Sequence, residues 1–127
     1  MMTYSLSKEK INSIEKIKEE VINLTNKDLS EDKIFYDNIY GERQVDLFDD
    51  DYNIGYEISI PSIIDSIYSE EELGDYIDET MKKIEMDSRI REDLGEDNYR
   101  IIWIFKNPSE TLFKLLTEYD FEYAVIN

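Results

Sequence analysis

Neither histidine nor cysteine occurs anywhere in the 127 residues. Without cysteine there are no disulfides and no thiolate chemistry, which fits a reducing cytoplasm. Without histidine the usual general base near neutral pH is gone, and so are Ser-His and Cys-His nucleophile pairs and the commonest transition-metal ligand. Catalysis would have to run on carboxylates, Lys or Tyr, and the expectation is a protein that is not an enzyme and holds no cofactor. The four glycines, Gly41, Gly55, Gly74 and Gly95, are widely separated, so there is no Gly-rich phosphate loop. The longest uninterrupted apolar run, Ile101 to Phe105, is far short of the ~20 residues that span a bilayer. The N-terminus also lacks an apolar signal segment, so a soluble, unprocessed, cytoplasmic protein is expected.

Positive charge is the other shortage, and it is local. The chain has 31 Asp and Glu against 14 Lys and Arg, a net charge of −17. Residues 28–98 hold 23 of the acids and only 6 of the bases, so this middle stretch carries the whole net charge between two nearly neutral flanks. Such a field works against folding through self-repulsion and attracts a partner of opposite sign. A charge run is ordinarily a solvated face that keeps a protein soluble. Here, however, low-GC-type composition with 19 Ile would normally bring Lys to balance Glu, and it does not. Confinement of the excess to the middle argues for a partner over general solubility. That partner is not nucleic acid itself, because the acidic stretch repels phosphates and no basic stripe compensates.

What remains is ordinary for one folded domain over 1–127, with 41% hydrophobic and 13% aromatic residues. Residues 7–25 read as an amphipathic helix, with Ile11, Ile14, Ile17, Lys18, Val21 and Leu24 in one stripe and Ser7 as N-cap. Tyr52, Ile54, Tyr56, Ile58 and Ile60 alternate with polar residues or glycine, a half-buried strand closed by Pro61. Residues 44–48 and 34–40 are shorter strand candidates, and Asp49, Asp50 and Asp51 form a turn between two strands of an antiparallel meander with one face on the core. Ser69 to Glu72 is a capping box opening a helix whose buried stripe is Leu73, Tyr76, Ile77, Met81 and Ile84. The stripe drifts near Asp87 and Ser88, which predicts an end or kink there, with Gly95 as the last stop. Residues 99–105 read as a central strand, Asn107-Pro108-Ser109 as the start of a short helix, and 121–126 as a closing strand. The sum is α-β-β-β-α-β-α-β, an α+β domain of three helices and an antiparallel or mixed sheet of four to five strands.

Two metal patterns come close and fail. Asp49, Asp51, Asn53 and Gly55 begin like a calcium loop, but Ile54 stands where the glycine is required and Ile60 where a bidentate Glu is required. A metal-dependent nuclease would want an acid followed, on a neighbouring strand, by Glu-x-Lys. Glu57 lies in a suitable strand after Asp46 and Asp49, but Ser59 takes the place of the lysine. Tyr52, Tyr56 and Tyr76 fit a core by their periodicity, while Tyr36, Tyr40 and Tyr68 remain open as interface residues.

In size, acidity and lack of catalytic residues the chain resembles the small DNA-mimic inhibitors that phages and mobile elements use against CRISPR nucleases and restriction enzymes. The resemblance is one of composition over the acidic middle and rests on no motif. It implies an anti-CRISPR or anti-restriction inhibitor acting in the bacterial host cell, which blocks the DNA-binding or PAM-reading surface of a basic nucleic-acid enzyme. The expected contact residues are Asp49, Asp50, Asp51 and Glu57 on the hairpin, with Glu70, Glu71, Glu72, Asp75, Asp78 and Glu79 on the helix. The alternative is an immunity or antitoxin protein that covers the active site of a basic nuclease toxin. A metal-dependent carboxylate enzyme comes third. Whether the protein is a monomer or a dimer is not encoded in any of these patterns.

Overall fold

The computed structural model describes residues 2–59, 70–106 and 110–126. Within them the order is α1 (Met2–Thr25), β1 (Ser30–Asp37), β2 (Gly41–Asp49), β3 (Ile54–Ser59), α2 (Glu70–Leu94), β4 (Arg100–Lys106), α3 (Glu110–Glu118) and β5 (Glu122–Ile126). The strands lie side by side in chain order. The first three form an antiparallel meander. β4 then runs parallel to β3, and β5 parallel to β4, which makes α2 and α3 the crossovers. This is the α+β fold with a mixed sheet that the sequence predicts. Among the described residues no helix is long and apolar enough to cross a membrane.

The meander differs from expectation in being covered on both faces. Ile17 and Val21 of α1 pack on Leu47, Ile58 and Ile104. On the other side, Ile84 and Ile90 of α2 and Leu116 of α3 pack on Val45, Phe48, Ile101, Trp103 and Phe105. β3 reveals why alternation alone misleads. Tyr56 and Ile58 belong to the α1 side, yet the intervening Gly55, Glu57 and Ser59 are buried as well. Gly55 is there because a Cβ would lie 2.5 Å from Ile101 Cδ1 and 3.0 Å from Val45 Cγ1, so only glycine lets the neighbouring side chains fill that space. The other two are polar residues with buried partners or a cavity, described below.

β2 turns over at Asp46. Val45 packs on the α2 side and Leu47 on the α1 side, although two residues apart they should share a face. The β1–β2 register pairs Lys33 with Val45 and Glu31 with Leu47, and the rung between them, Asp32 against Asp46, is missing. Asp32 adopts φ 55°, a left-handed backbone that Asp tolerates better than most residues. Between β2 and β3 the ladder covers only Leu47–Tyr56, Phe48–Gly55 and Asp49–Ile54. Past Leu47 the two strands part.

The helices also depart from the sequence reading in detail. α1 starts at Met2, ahead of Ser7, in a stretch with neither Pro nor Gly to stop it. Lys18 is buried as the stripe predicts, with Glu15, Glu31 and Asp32 within 3.6–3.8 Å of its ammonium. Leu24 is 85% exposed and contributes nothing to the core. α2 runs straight through Asp87 and Ser88, because Asp87 is a buried polar member of the stripe and not a break in it. It stops at Gly95, whose φ of 93° and N–H to Arg91 C=O bond of 2.8 Å make a left-handed cap. The expected capping box at Ser69, the stop at Pro61, the helix start at Asn107-Pro108-Ser109 and the interface candidate Tyr68 lie outside the described residues.

Candidate functional site

Where β2 and β3 part, two acidic side chains take over the ladder. The Asp46 N–H donates to Glu57 Oε1 at 3.3 Å, and the Ile58 N–H donates to Asp46 Oδ2 at 2.8 Å. Each carboxylate thus accepts from the backbone of the other's strand, satisfying groups that would otherwise be orphaned. Two cations meet Glu57 from the α2 side. Arg43 Nη1 reaches its Oε1 at 3.3 Å and Lys83 Nζ donates to its Oε2 at 3.0 Å. Burial works to raise the Glu57 pKa, but the charges of Arg43 and Lys83 outweigh it and hold the carboxyl below its usual value. Asp46 gets less help, from the Ile58 N–H and the charges of Lys83 and Lys18. Burial first, and then the charge of Glu57, push its carboxyl up to about 7.

Arg43 is the hub of this buried network. Its guanidinium forks onto Asp87, Nε to Oδ1 at 2.9 Å and Nη2 to Oδ2 at 3.1 Å, and the Tyr99 hydroxyl donates to Asp87 Oδ1 at 2.6 Å. Burial disfavours the Arg43 charge, yet Asp87 and Glu57 more than offset that and keep it protonated. The bidentate geometry is the strong form of such a pair. It ties β2 to the middle of α2.

Beside the network, between the end of β3, the start of α2 and Ile14 of α1, lies an open cavity of about 450 Å³. Asp46, Glu57 and Lys83 line it on one side, and Asp75 and Glu79 reach it from α2. Ser59 and Trp103 also line it, and the Ser59 hydroxyl and the Trp103 indole N–H are buried without hydrogen-bond partners. A second cavity of about 390 Å³ adjoins it across Asp46, Glu57, Glu79 and Lys83. Among the described residues no group of three or more acids is arranged to hold a metal ion.

The ten predicted contact residues do not gather on one face. Glu57 is 2% exposed and held by Arg43 and Lys83, so it offers no surface to a partner. Asp49 is 5% exposed, and its carboxylate is committed to Lys27 and to the N–H groups of Asp51 and Tyr52, which build the turn. Both are corrections: α2 covers Glu57 through Lys83, whereas Asp49 turns inward to Lys27, just past α1, and to the amides of its own turn. Asp50 and Asp51 are exposed at the β2–β3 turn, although Asp50 already accepts from Ser30 and Lys33. Asp75, Asp78 and Glu79 are exposed near the start of α2. Because β3 runs away from the turn and α2 runs back, these two groups sit at opposite ends of the molecule. The side chains of Glu70, Glu71 and Glu72 lie outside the described residues.

Acids that the sequence reading left aside connect the two ends. Glu85, Glu92 and Asp93 continue the outer stripe of α2 at six- and seven-residue intervals after Glu79, with Lys82 and Arg89 in the gaps, and Glu96 and Asp97 follow in the next turn. That turn adjoins the hairpin turn, with Asn53 Nδ2 donating to Asp97 C=O at 3.3 Å and Arg100 N–H to Asn53 C=O at 3.1 Å. Among the described residues none of Asp75, Asp78, Glu79, Glu85, Glu92, Asp93, Glu96 and Asp97 has an ion pair. The scarce bases are engaged elsewhere: Lys33 with Asp50, Arg43 with Asp87, Lys83 with Glu57, Arg89 with Asp37, and Arg91 with the Tyr119 and Asp120 carbonyls past α3. Two bases stand within the stripe, Lys82 over the Tyr40 ring and Arg89 paired with Asp37. Tyr36 and Tyr40 are both exposed. No protein-family model matches the chain, and neither a curated protein nor a solved structure matches it.

Proposed function

We propose that the protein is a non-enzymatic inhibitor that binds the nucleic-acid-binding surface of a DNA-processing enzyme, a Cas nuclease or restriction enzyme, in the cytoplasm of a bacterial host. The observation that carries this reading is the unpaired acidic stripe of α2. Most of the local cations are tied to other acids or to carbonyls, so around Lys82 and Arg89 the stripe still projects a net negative charge. From Asp75 to Asp93 it covers about 27 Å at ~1.5 Å per residue, the length of about eight base pairs at ~3.4 Å each. A protein surface built to neutralise phosphates meets carboxylates at comparable reach, and the rigid helix costs little ordering on binding. The same stripe would serve an immunity or antitoxin protein against a basic nuclease toxin, the partner then being the toxin.

One observation favours a metal-dependent carboxylate enzyme instead: Lys83 brings to Glu57 the lysine that position 59 lacks. Against it, both oxygens of Glu57 already accept from cationic groups, and among the described residues the acid bonded beside it is the half-buried Asp46 alone. We therefore keep the inhibitor reading.

The test is loss of DNA binding by a target enzyme captured from a host lysate, measured with and without the protein at low and high salt. Asp75, Asp78 and Glu79 changed together to Lys, or Glu92 and Asp93 changed together to Lys, should restore DNA binding. Glu19 and Glu20 of α1 changed to Lys should leave inhibition intact. Equal inhibition by wild type and both α2 variants, each shown to be folded, would end the proposal.

A further inference from the structure

The cavity at the end of β3 has a charge balance and a set of unsatisfied groups that specify what it takes. Asp46, Asp75 and Glu79 are without ion pairs there, and Lys83 is already committed to Glu57. The cavity therefore sets four carboxylates, Asp46, Glu57, Asp75 and Glu79, against one cation, Lys83. Its wall also holds two polar groups without partners among the described residues, the Ser59 hydroxyl at 6% residue exposure and the Trp103 indole N–H at 1%. Leaving donors orphaned at such burial is unfavourable, and a bound ligand can recover that loss. Its 450 Å³ falls within the ~300–1,000 Å³ typical of small-ligand sites.

From this geometry we infer that the cavity is an anchor site for a guanidinium side chain, an arginine of the basic partner, entering between Asp46 and the acids Asp75 and Glu79. The planar fork offers several donors at once, to Asp46, to the rim carboxylates and to the Ser59 oxygen. The indole N–H of Trp103 takes an acceptor that arrives with the arginine, its main-chain carbonyl or a water. A divalent cation fits less well, because Glu57 has no oxygen free of a cationic donor and only Asp46 remains as a half-buried ligand. The near-neutral carboxyl of Asp46 agrees with a site that waits for its counter-charge. This inference rests on the inhibitor reading for the source of the arginine, and it deepens that reading by adding a buried anchor to a surface stripe.

Trp103 is the only tryptophan, so its indole resonance reports on the cavity alone. The experiment titrates N-acetyl-L-argininamide into the isotope-labelled full chain and follows the Trp103 indole ¹H–¹⁵N signal, with MgCl₂ and NaCl at matched ionic strength as parallel arms. A saturable shift with the arginine probe alone is expected. Asp46→Asn, which keeps an acceptor for the Ile58 N–H, should weaken it about tenfold, the loss of a charge-assisted bond of about 1.4 kcal/mol. Ser59→Ala and the exposed Glu79→Gln should weaken it less. No shift, a shift reproduced by NaCl or MgCl₂, or equal affinity in Asp46→Asn would overturn the inference. If the probe fails while the α2 lysine variants still abolish inhibition, the anchor is wrong and the inhibitor reading stands. If the probe binds, the Asp75, Asp78 and Glu79 lysine variant loses inhibition and the Glu92 and Asp93 lysine variant inhibits normally, the anchor stands and the rest of the acidic stripe does not act; normal inhibition by both variants overturns anchor and inhibitor reading together.

Discussion

Asp46 and Glu57 each hold the backbone of the other's strand, so the separation of β2 from β3 is a bonded arrangement and not a frayed edge. Its weak point is electrostatic. Glu57 is matched by two cations, while Asp46 is left beside it with a carboxyl near 7.

A pH dependence of stability follows directly. The folded Asp46 carboxyl titrates near 7 against an ordinary value of 3.8, so between these values the folded state binds a proton that the unfolded state has lost. Stability from this group must therefore fall as pH rises from about 4 through 7. Asp37 acts in the opposite sense. Its hydrogen bonds from Arg89 bring it down to about 2, so its contribution is lost as pH falls below its ordinary 3.8. Melting temperature should be highest near pH 4–5 and decline on both sides, and Asp46→Asn should flatten the decline from pH 5 to 8. An unchanged slope in that variant would contradict the assignment to Asp46.

Removing one member of the Arg43 network should be severe. Arg43→Met leaves Asp87 buried without its fork, and breaking a buried pair in this way costs about 3–5 kcal/mol. Urea unfolding at pH 7 would measure it, and a loss below about 1 kcal/mol would mean that solvent or another cation replaces the guanidinium.

Two glycines should respond with opposite signs. Gly55→Ala forces a Cβ against Ile101 and Val45 and should cost about 1–3 kcal/mol by overpacking. Gly74, inside α2, has nothing within 4 Å of the added Cβ, so Gly74→Ala should stabilise by about 0.5–1 kcal/mol. Thermal unfolding of the two variants side by side checks both statements.

Salt should separate the two kinds of acid. The α2 stripe is exposed and repels itself, so added NaCl should raise the melting temperature, since screening reaches within about 8 Å at physiological ionic strength. Substituting Glu92 and Asp93 by Gln and Asn should reduce that salt response. A melting temperature that falls with salt would mean that exposed pairs such as Arg100 with Glu122, 2.8 Å apart, dominate instead.

The order of elements was legible because each depends on local pattern: the alternation in β3, the stripe of α1 around Ile17 and Val21, and the glycine that ends α2. Misreadings came where a polar residue has a distant partner. Asp87 looked like a helix breaker, but Arg43, 44 positions away, makes it a core residue. Glu57 looked like a solvent-facing strand residue until α2 covered it with Lys83. Nothing local in either sequence window carries that information, because it depends on which helix packs on which face. The acids of the site divide the same way. Asp75, Asp78 and Glu79 were readable from helical periodicity, whereas the orphaned Ser59 and Trp103 groups emerge only once β3 and β4 lie side by side.

The parallel pairing of Ile54 with Arg100 also sets a timetable for a chain leaving the ribosome. The β1–β2 hairpin can close from local sequence, but the underside of α1 needs Ile104 as well as Ile58. At about 5–20 residues per second, Ile58 waits roughly 2–9 s and Leu47 roughly 3–11 s for that residue to be made. The segment synthesised during the wait is the acidic one, with Asp75, Asp78, Glu79, Glu92 and Asp93 all emerging in it. Dense like charge keeps half-made sheets of neighbouring nascent chains from pairing.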